Sequence, residues 1–235
     1  MNAAVILAGG KGSRMGADIS KQFILINNKP ILYYTLQKFI ESNIIHKIVL
    51  VLPKGEIEYC KKEVLEKYSL SVDVIVEGGK ERQDSVYNGL RACSHCEMVL
   101  IHDGARPFVS QRIIEQGVEY ANIYGAAAPG VMPKDTIKVR DSESFSKETL
   151  DRCQLVSIQT PQIFKYELIL NCHKKVKESN IAVTDDTMVV EMYNNKVFLY
   201  EGDYKNIKIT TPEDLILAEY LAQPVDRNFA KSYNK

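Results

Sequence analysis

The segment with the clearest chemical potential is the glycine-rich stretch GGKGSRMG at residues 9–16, which follows the apolar run AAVILA. Glycine lets a backbone approach a ligand closely, and exposed N–H groups in such a turn form a cradle for anions. Lys11, Arg14 and Lys21 lie on or just after this stretch. It matches neither the G-x-x-x-x-G-K-[ST] phosphate loop nor the G-x-G-x-x-G dinucleotide fingerprint. The sequence therefore predicts a polyphosphate-binding turn of another kind, with a plain strand-to-helix turn as the alternative.

A second candidate is HDGARP at residues 102–107. Asp103 follows a strand-like run and Arg106 comes three residues later. Mg²⁺ prefers one or two carboxylates together with phosphate oxygens, so a strand-end aspartate near a phosphate loop is a candidate metal ligand. Asp is also common in turns, and a turn-capping role stays open for Asp103. We interpret His102 as a packed or hydrogen-bonded histidine rather than a general base.

Other polar residues are weaker candidates when taken alone. Ser85 follows the Gly78-Gly79 turn and could contact a base or a ribose, or could serve the backbone of a first helical turn. Arg152, Thr160 and Lys208 are each of a type common on solvated surfaces. Their importance depends on the elements that position them.

Strand-like and helix-like runs alternate along the chain. We expect strands at 3–8, 47–53, 72–79, 98–107, 131–140, 196–201 and 207–209, and helices at 30–42, 56–68, 82–93, 111–124, 166–179, 185–193 and 212–221. Apolar strands separated by helices indicate an α/β fold with three layers, a mostly parallel sheet covered on both faces. Ligands bind such folds at the carboxyl ends of strands, where the glycine turn, Gly78-Gly79 and His102-Asp103 would meet.

The segment 131–155 breaks this pattern, because it contains a polar stretch, DSESFSKETLDR, with little to bury. We expect a projecting β-hairpin arm, and since such an arm is hard to stabilise alone, one that packs on a second subunit. A surface excursion without function is the alternative. We expect a single domain over 1–223, with 131–155 as its dimerisation arm and 224–235 as a polar tail.

Composition gives no support for a nucleic-acid-binding, membrane-spanning, secreted or zinc-binding protein. Thirty basic residues balance thirty acidic ones, which gives no support for nucleic-acid binding. No apolar run approaches the roughly 20 residues that span a bilayer, and the opening run is unlike a secretory signal. Five cysteines, an odd number, favour reduced thiols and a cytoplasmic location without membrane attachment. Cys93 and Cys96 have C-x-x-C spacing, but no second pair follows to complete a zinc site.

Eight motifs in order resemble one known family. They are LAGGKGSRMG, KQF, GGKERQDSV, HDGARPF, PKDTIK, TPQIF, TDD and GDYKNIKITTPEDL, and they extend over nearly the whole chain. Together they resemble 2-C-methyl-D-erythritol 4-phosphate cytidylyltransferases of the non-mevalonate isoprenoid pathway, a family with a Rossmann-like fold. The chain departs from the usual family pattern at Gly9, Ser20 and Lys80.

The resemblance implies a role for each matching residue. The backbone of Ala8, Gly9, Gly10 and Gly12 would hold CTP, Gly79 and Ser85 would contact cytosine, and Gly104 the ribose. Arg14, Lys21 and Lys208 would be catalytic, and Asp103 would hold Mg²⁺ or another divalent cation. Arg106, Thr160 and Lys208 would bind the polyol phosphate, together with Thr136 and Arg152 from the partner subunit of a homodimer.

The implied reaction joins CTP and 2-C-methyl-D-erythritol 4-phosphate to give 4-diphosphocytidyl-2-C-methyl-D-erythritol and pyrophosphate. A phosphomonoester is ionised near neutral pH and needs no general base, so positioning and charge stabilisation suffice. Ribitol-5-phosphate cytidylyltransferase is the alternative from a sibling family, since it shares LAGG, KQF and TPQ. A non-catalytic nucleotide-binding protein is the alternative from another class, and it would be expected to lack the phosphate-loop cations or Asp103.

Overall fold

The computed structural model describes residues 1–9, 20–179 and 181–223. Most of the glycine-rich turn, including Gly10, Gly12 and Arg14, lies outside the described residues. Among the helices that are described, none is long and apolar enough to cross a membrane.

An eight-stranded sheet forms the centre of the molecule. The strands along the chain are β1 (Asn2–Leu7), β2 (Leu25–Ile26), β3 (Lys29–Pro30), β4 (Lys47–Leu52), β5 (Val74–Glu77), β6 (Met98–Asp103), β7 (Ala126–Val131), β8 (Lys138–Arg140), β9 (Ser146–Thr149), β10 (Ser157–Ile158), β11 (Gln162–Lys165) and β12 (Phe198–Glu201). The order across the main sheet is β10-β7-β11-β6-β1-β4-β5, and β12 also pairs with β7.

The sheet is mostly parallel, as expected. β1 pairs in parallel with β4 and with β6, and β4 pairs in parallel with β5. β11 is antiparallel to both β6 and β7, and β10 is antiparallel to β7. The carboxyl ends of β1, β4 and β6 therefore open on one edge of the sheet, where the sequence motifs lie.

Seven α-helices surround the strands in the described part of the chain. They are α1 (Ile31–Ile40), α2 (Ile57–Cys60), α3 (Arg82–Arg91), α4 (Gln111–Tyr124), α5 (Tyr166–Ser179), α6 (Asp186–Glu191) and α7 (Pro212–Leu221). α1, α2 and α4 contribute to the core on one face of the sheet, and α3, α5 and α6 to the core on the other. The expected three-layer α/β fold is confirmed.

Strand periodicity explains how one sheet supports two cores. Along β1, Ala4 and Ile6 join the first core, whereas Ala3 and Val5 join the second. Successive side chains of a strand point to opposite faces, so a strand that is buried on both faces must be apolar throughout. Burial of both faces therefore explains why the strand segments are continuous apolar runs in the sequence.

Three sequence expectations need correction. The helix expected at 56–68 is divided into a 3-10 turn (Lys54–Glu56), α2 and a π-helical segment (Lys61–Glu66). The strand expected at 131–140 is divided between β7 and β8, because Pro133 has no N–H to donate to a ladder. The strand expected at 207–209 is an unpaired segment held by a hydrogen bond from Ile209 N–H to the Ala105 carbonyl, 2.9 Å.

The arm at 131–155 contains a two-stranded ribbon, β8 paired with β9. Every residue of β9 is exposed, and so is Phe145, whose exposed fraction is 68%. The ribbon thus lacks a core of its own among the described residues, as the polar composition of the segment indicated.

Candidate active site

A cavity of about 310 Å³ opens at the carboxyl ends of β1 and β6 and at the turn that follows β5. Eight residues that the sequence had singled out line it: Ala8, Gly9, Lys21, Gly79, Ser85, Asp103, Gly104 and Lys208. The fold thus brings together side chains from positions as far apart in the chain as 8 and 208.

Four other predicted residues do not line this cavity: Arg106, Thr136, Arg152 and Thr160. Thr136 and Arg152 are exposed on the arm, where Arg152 Nη1 donates to the Lys134 carbonyl at 2.7 Å. Arg106 instead lies beside the Asp103 carboxylate, and Thr160 contacts the Asp103 backbone N–H. Their substrate contacts stay predictions.

Asp103, the last residue of β6, is the electrostatic centre of the site. Lys208 Nζ lies 2.8 Å from Asp103 Oδ2, Arg106 Nε lies 3.8 Å from the same oxygen, and Arg82 Nε lies 3.7 Å from Oδ1. Burial alone would raise the pKa of the Asp103 carboxyl, but Lys208, Arg82 and Arg106 outweigh burial and hold that pKa below its usual range. Asp103 is therefore ionised, with a cation at each carboxylate oxygen.

Thr160 and His102 form a buried hydrogen-bonded chain next to the backbone of Asp103. Thr160 Oγ1 accepts a hydrogen bond from the Asp103 N–H at 3.1 Å and lies 3.1 Å from His102 Nδ1. His102 Nε2 lies 3.0 Å from the Arg106 carbonyl, so the neutral Nε2–H tautomer satisfies both contacts. Burial lowers the pKa of His102 to about 4. The interpretation of His102 as a packed, hydrogen-bonded residue is confirmed.

Arg106 is largely buried, and its Nη1 donates to the Asn206 carbonyl at 2.7 Å. Asn206 is fully buried, and its amide nitrogen donates to the Thr160 carbonyl at 2.9 Å. The segment that carries Lys208 is thereby tied to the loop after β6. Asn206 is a residue that the sequence did not single out, although it lies within the motif NIKITTPED.

The turn at Gly79 forms another wall of the cavity. Ser85 Oγ accepts a hydrogen bond from the Gly79 N–H at 3.0 Å and donates to the Glu81 carbonyl at 3.2 Å. A side chain at position 79 would collide with Asp84, so only glycine fits there. Ser85 thus fulfils the backbone role that the sequence left open, while it also lines the cavity.

Arg82 is the main site residue that sequence reasoning missed. Its Nη2 donates to Asp186 Oδ2 at 2.8 Å, and His173 Nε2 lies 3.0 Å from Asp186 Oδ1. A cation in the first turn of a helix is unfavourable beside the positive end of the helix dipole unless an anion compensates it. The position of Arg82 in the first turn of α3 could therefore have indicated a nearby acidic partner. Its partner Asp186 is 104 residues away in sequence, which no local pattern reveals.

The thiols take no part in this cavity. All five cysteines are free, and Cys93 and Cys96 are buried beside α3. Within the described ranges there is no group of three or more His, Cys, Asp or Glu residues that could hold a metal ion.

The fold and the cavity define an α/β protein of the nucleotide-binding kind, with an anionic ligand expected at the carboxyl edge of its sheet. The family model of 2-C-methyl-D-erythritol 4-phosphate cytidylyltransferase (IspD) matches residues 2–223. The chain belongs to this family.

Similar proteins cover nearly the same length. A 2-C-methyl-D-erythritol 4-phosphate cytidylyltransferase of Clostridium beijerinckii is 62% identical over 225 residues, which are 96% of this chain and 100% of that protein. One from Clostridium perfringens is 62% identical over 94% of this chain and 98% of its own length. The crystal structure of 4-diphosphocytidyl-2C-methyl-D-erythritol synthase from Anaerococcus prevotii has a TM-score of 0.83 at 34% identity, covering 94% of this chain and 96% of that one.

Proposed function

We propose that this chain is a cytidylyltransferase that joins CTP to 2-C-methyl-D-erythritol 4-phosphate in the non-mevalonate isoprenoid pathway, with release of pyrophosphate. Family membership over residues 2–223 supports the reaction. The observation that carries the assignment within the structure is the cavity itself, where Lys21, Lys208 and Asp103 meet the Gly79 turn.

In the proposed reaction, a phosphate oxygen of the methylerythritol phosphate attacks the α-phosphorus of CTP. A new O–P bond forms as the bond to the leaving pyrophosphate breaks, and no proton needs to move because the attacking phosphate is already ionised. Lys21 and Arg14 stabilise the charge that develops at phosphorus, and Lys208 holds the attacking phosphate. Among the described residues that line the cavity there is no nucleophile–His–acid set, and the proposed chemistry does not require one.

The nucleotide would lie along the Ala8–Gly9 backbone and the glycine turn, with Gly10 and Gly12 as further contacts. The base would face Gly79 and Ser85, and the ribose Gly104. A Cβ at Gly104 would lie 2.9 Å from the Leu7 carbonyl oxygen, so glycine lets the loop after β6 pack closely against the end of β1. All these nucleotide contacts are proposals, and Gly10 and Gly12 lie outside the described residues.

A divalent cation, Mg²⁺ in the first instance, is part of the proposal. The donor set fits a hard cation, since the ionised Asp103 carboxylate lines the cavity and phosphate oxygens of CTP would complete the coordination. Asp103 would hold the ion, which would neutralise phosphate charge.

We also propose a cytoplasmic homodimer formed through the arm at 131–155. The exposed apolar side chains of Met132 and Phe145 on this segment, and of Val156 directly after it, support an interface here. Arg152 and Thr136 would then reach the partner's cavity, while Arg106, Thr160 and Lys208 bind the substrate within their own subunit. Residues 1–223 would form one catalytic domain.

Pyrophosphate release from CTP in the presence of either polyol phosphate tests the assignment. Turnover with 2-C-methyl-D-erythritol 4-phosphate is expected. Turnover with ribitol 5-phosphate alone would favour the sibling activity, and turnover with neither would favour a nucleotide-binding protein without catalysis.

A further inference from the structure

The turn that carries Lys21 is held by contacts outside the cavity. Lys21–Phe23 form a 3-10 turn, closed by hydrogen bonds from Phe23 N–H to the Ser20 carbonyl at 2.9 Å and from Ile24 N–H to the Lys21 carbonyl at 3.2 Å. Lys21 and Gln22 both line the cavity. The side chains of Ser20 and Gln22 also reach Glu56, which is not among the lining residues.

Glu56 binds both neighbours of Lys21. Ser20 Oγ donates a hydrogen bond to Glu56 Oε1, and Gln22 Nε2 donates one to Glu56 Oε2. The two carboxylate oxygens thus bind the residues on either side of Lys21 in the sequence. Hydrogen bonds to an ionised acceptor are roughly twice as strong as neutral ones. Gln22 is buried, so its amide depends on this acceptor.

Glu56 is itself fixed to the sheet. It ends the 3-10 turn that follows β4, and its N–H donates to the Pro53 carbonyl at 2.9 Å. One turn further along, the Tyr59 ring meets the Phe23 ring edge to face, with centroids 4.8 Å apart. A polar contact and an aromatic contact therefore attach the Lys21 turn to the connection after β4.

We infer that Glu56 is a positioning residue, which orients the Lys21 ammonium toward the reacting phosphates by clamping Ser20 and Gln22. The inference rests on the proposed function, because Lys21 must act on the phosphates of CTP for its orientation to affect the rate. Glutamate offers one acceptor oxygen to each of the two donors. Glutamine has one acceptor oxygen and one NH₂ group, so Glu56→Gln would lose one of the two hydrogen bonds.

Glu56→Gln and Glu56→Ala test the inference by steady-state kinetics. We expect kcat to fall about tenfold in Glu56→Gln and up to about 10²-fold in Glu56→Ala, since small misplacements of a catalytic group cost rates of this order. The KM for CTP should change by less than about threefold, because an interaction made only in the transition state affects kcat and not binding. Glu58→Ala is the matched control: Glu58 lies on the same connection, is exposed, and pairs with Lys61 at 2.7 Å. It should keep wild-type kcat.

A double-mutant cycle separates positioning of Lys21 from a general structural effect. In a Lys21→Gln background, Glu56→Gln should lower kcat by less than about twofold, because the group that it orients is gone. The same factor in both backgrounds, or a kcat within twofold of wild type for Glu56→Gln alone, would overturn the inference. If neither Glu56 variant folds, Ser20→Ala removes one contact only and should lower kcat about two- to fivefold, again only when Lys21 is present.

The outcome for Glu56 is distinguishable from failure of the proposed function. Wild-type turnover of CTP and methylerythritol phosphate, together with a large loss in Lys21→Gln, establishes the role on which the inference depends. Normal kcat in Glu56→Gln would then refute the clamp alone. Lack of turnover by the wild-type protein would refute the proposed function.

Discussion

At the scale of single residues, charge is concentrated at two points of the cavity. Lys21 comes from the turn after β1, and Asp103 comes from the end of β6 with Lys208, Arg82 and Arg106 around it. A transfer between two phosphates demands this kind of site, because the charge on the reacting groups, more than proton movement, sets the barrier.

Lys21→Ala should lower kcat on the order of 10²–10³-fold, since in the proposed reaction Lys21 supplies a preorganised charge to the α-phosphorus. The free energy of unfolding should change far less than the activity. Turnover of the purified variant and its thermal unfolding measure the two effects. A variant that is nearly as active as wild type would refute the role of Lys21.

Asp103→Asn should raise the Mg²⁺ concentration needed for half-maximal activity by about tenfold or more, because a neutral amide is a poor ligand for a hard dication. Steady-state rates across a magnesium titration test this expectation. If the titration curve does not move, the carboxylate acts only on its three cationic neighbours, and the proposed metal ligand is wrong.

At the scale of elements, the sequence predicts helix ends well where nearby capping residues determine them. α4 and α7 have the bounds expected from sequence, because each begins with a strong cap. The Ile113 N–H bonds to Ser110 Oγ at the start of α4, and Thr211 and Asp214 form a capping box at α7. The glycine turn, the Gly79 turn and Asp103 could be placed at one sheet edge for a similar reason, since strand ends are readable from apolar runs.

Elements that depend on distant partners were not predictable. β11 has only four residues, and its antiparallel position between β6 and β7 is set by pairing with both. Its segment QIFK contains only two apolar residues, too few to show the alternation or the apolar run that marks a strand locally. The Arg82–Asp186–His173 cluster likewise joins α3, α6 and α5, and no spacing in the sequence reveals it.

This cluster should couple folding to pH. Burial alone would raise the pKa of Asp186, but Arg82 and His173 outweigh it and hold that pKa below its usual range. A depressed carboxyl pKa adds stability above the unfolded pKa, near 3.8, and that stability is lost as the pH falls through the folded pKa. Asp186→Asn should therefore lower the free energy of unfolding at pH 7 by about 3 kcal/mol.

Urea unfolding of wild type and Asp186→Asn at several pH values measures this difference. The difference in the free energy of unfolding between wild type and Asp186→Asn should be constant from neutral pH down to about 4 and should become smaller below that pH. A gap that persists unchanged into strong acid would mean that packing, and not the charge on Asp186, accounts for the loss.

At the scale of the whole molecule, we propose that the arm completes the active site of a partner subunit, so that one chain alone has an incomplete site. The ribbon of β8 and β9 is exposed, and Thr136 and Arg152 lie away from the cavity of their own subunit. A homodimer in which each arm completes the partner's site reconciles these positions with the substrate contacts that we propose for them.

Arg152→Ala and Lys208→Ala subunits should complement each other if sites are shared. A mixed dimer would have one site with both defects and one with neither. After subunit exchange, an equal mixture of the two inactive variants should recover up to roughly a quarter of wild-type activity, given random pairing and independent sites. A monomer in solution, or no recovery after exchange has been demonstrated, would contradict the shared site.

The central claim is the reaction itself, and product analysis tests it most directly. Purified protein is incubated with CTP, Mg²⁺ and either 2-C-methyl-D-erythritol 4-phosphate or ribitol 5-phosphate, and the nucleotide products and pyrophosphate are quantified. We predict equimolar 4-diphosphocytidyl-2-C-methyl-D-erythritol and pyrophosphate with the first substrate, at a rate that Lys21→Ala lowers on the order of 10²-fold or more. Formation of the ribitol product alone, or of no cytidylyl product with either polyol phosphate, would contradict the account.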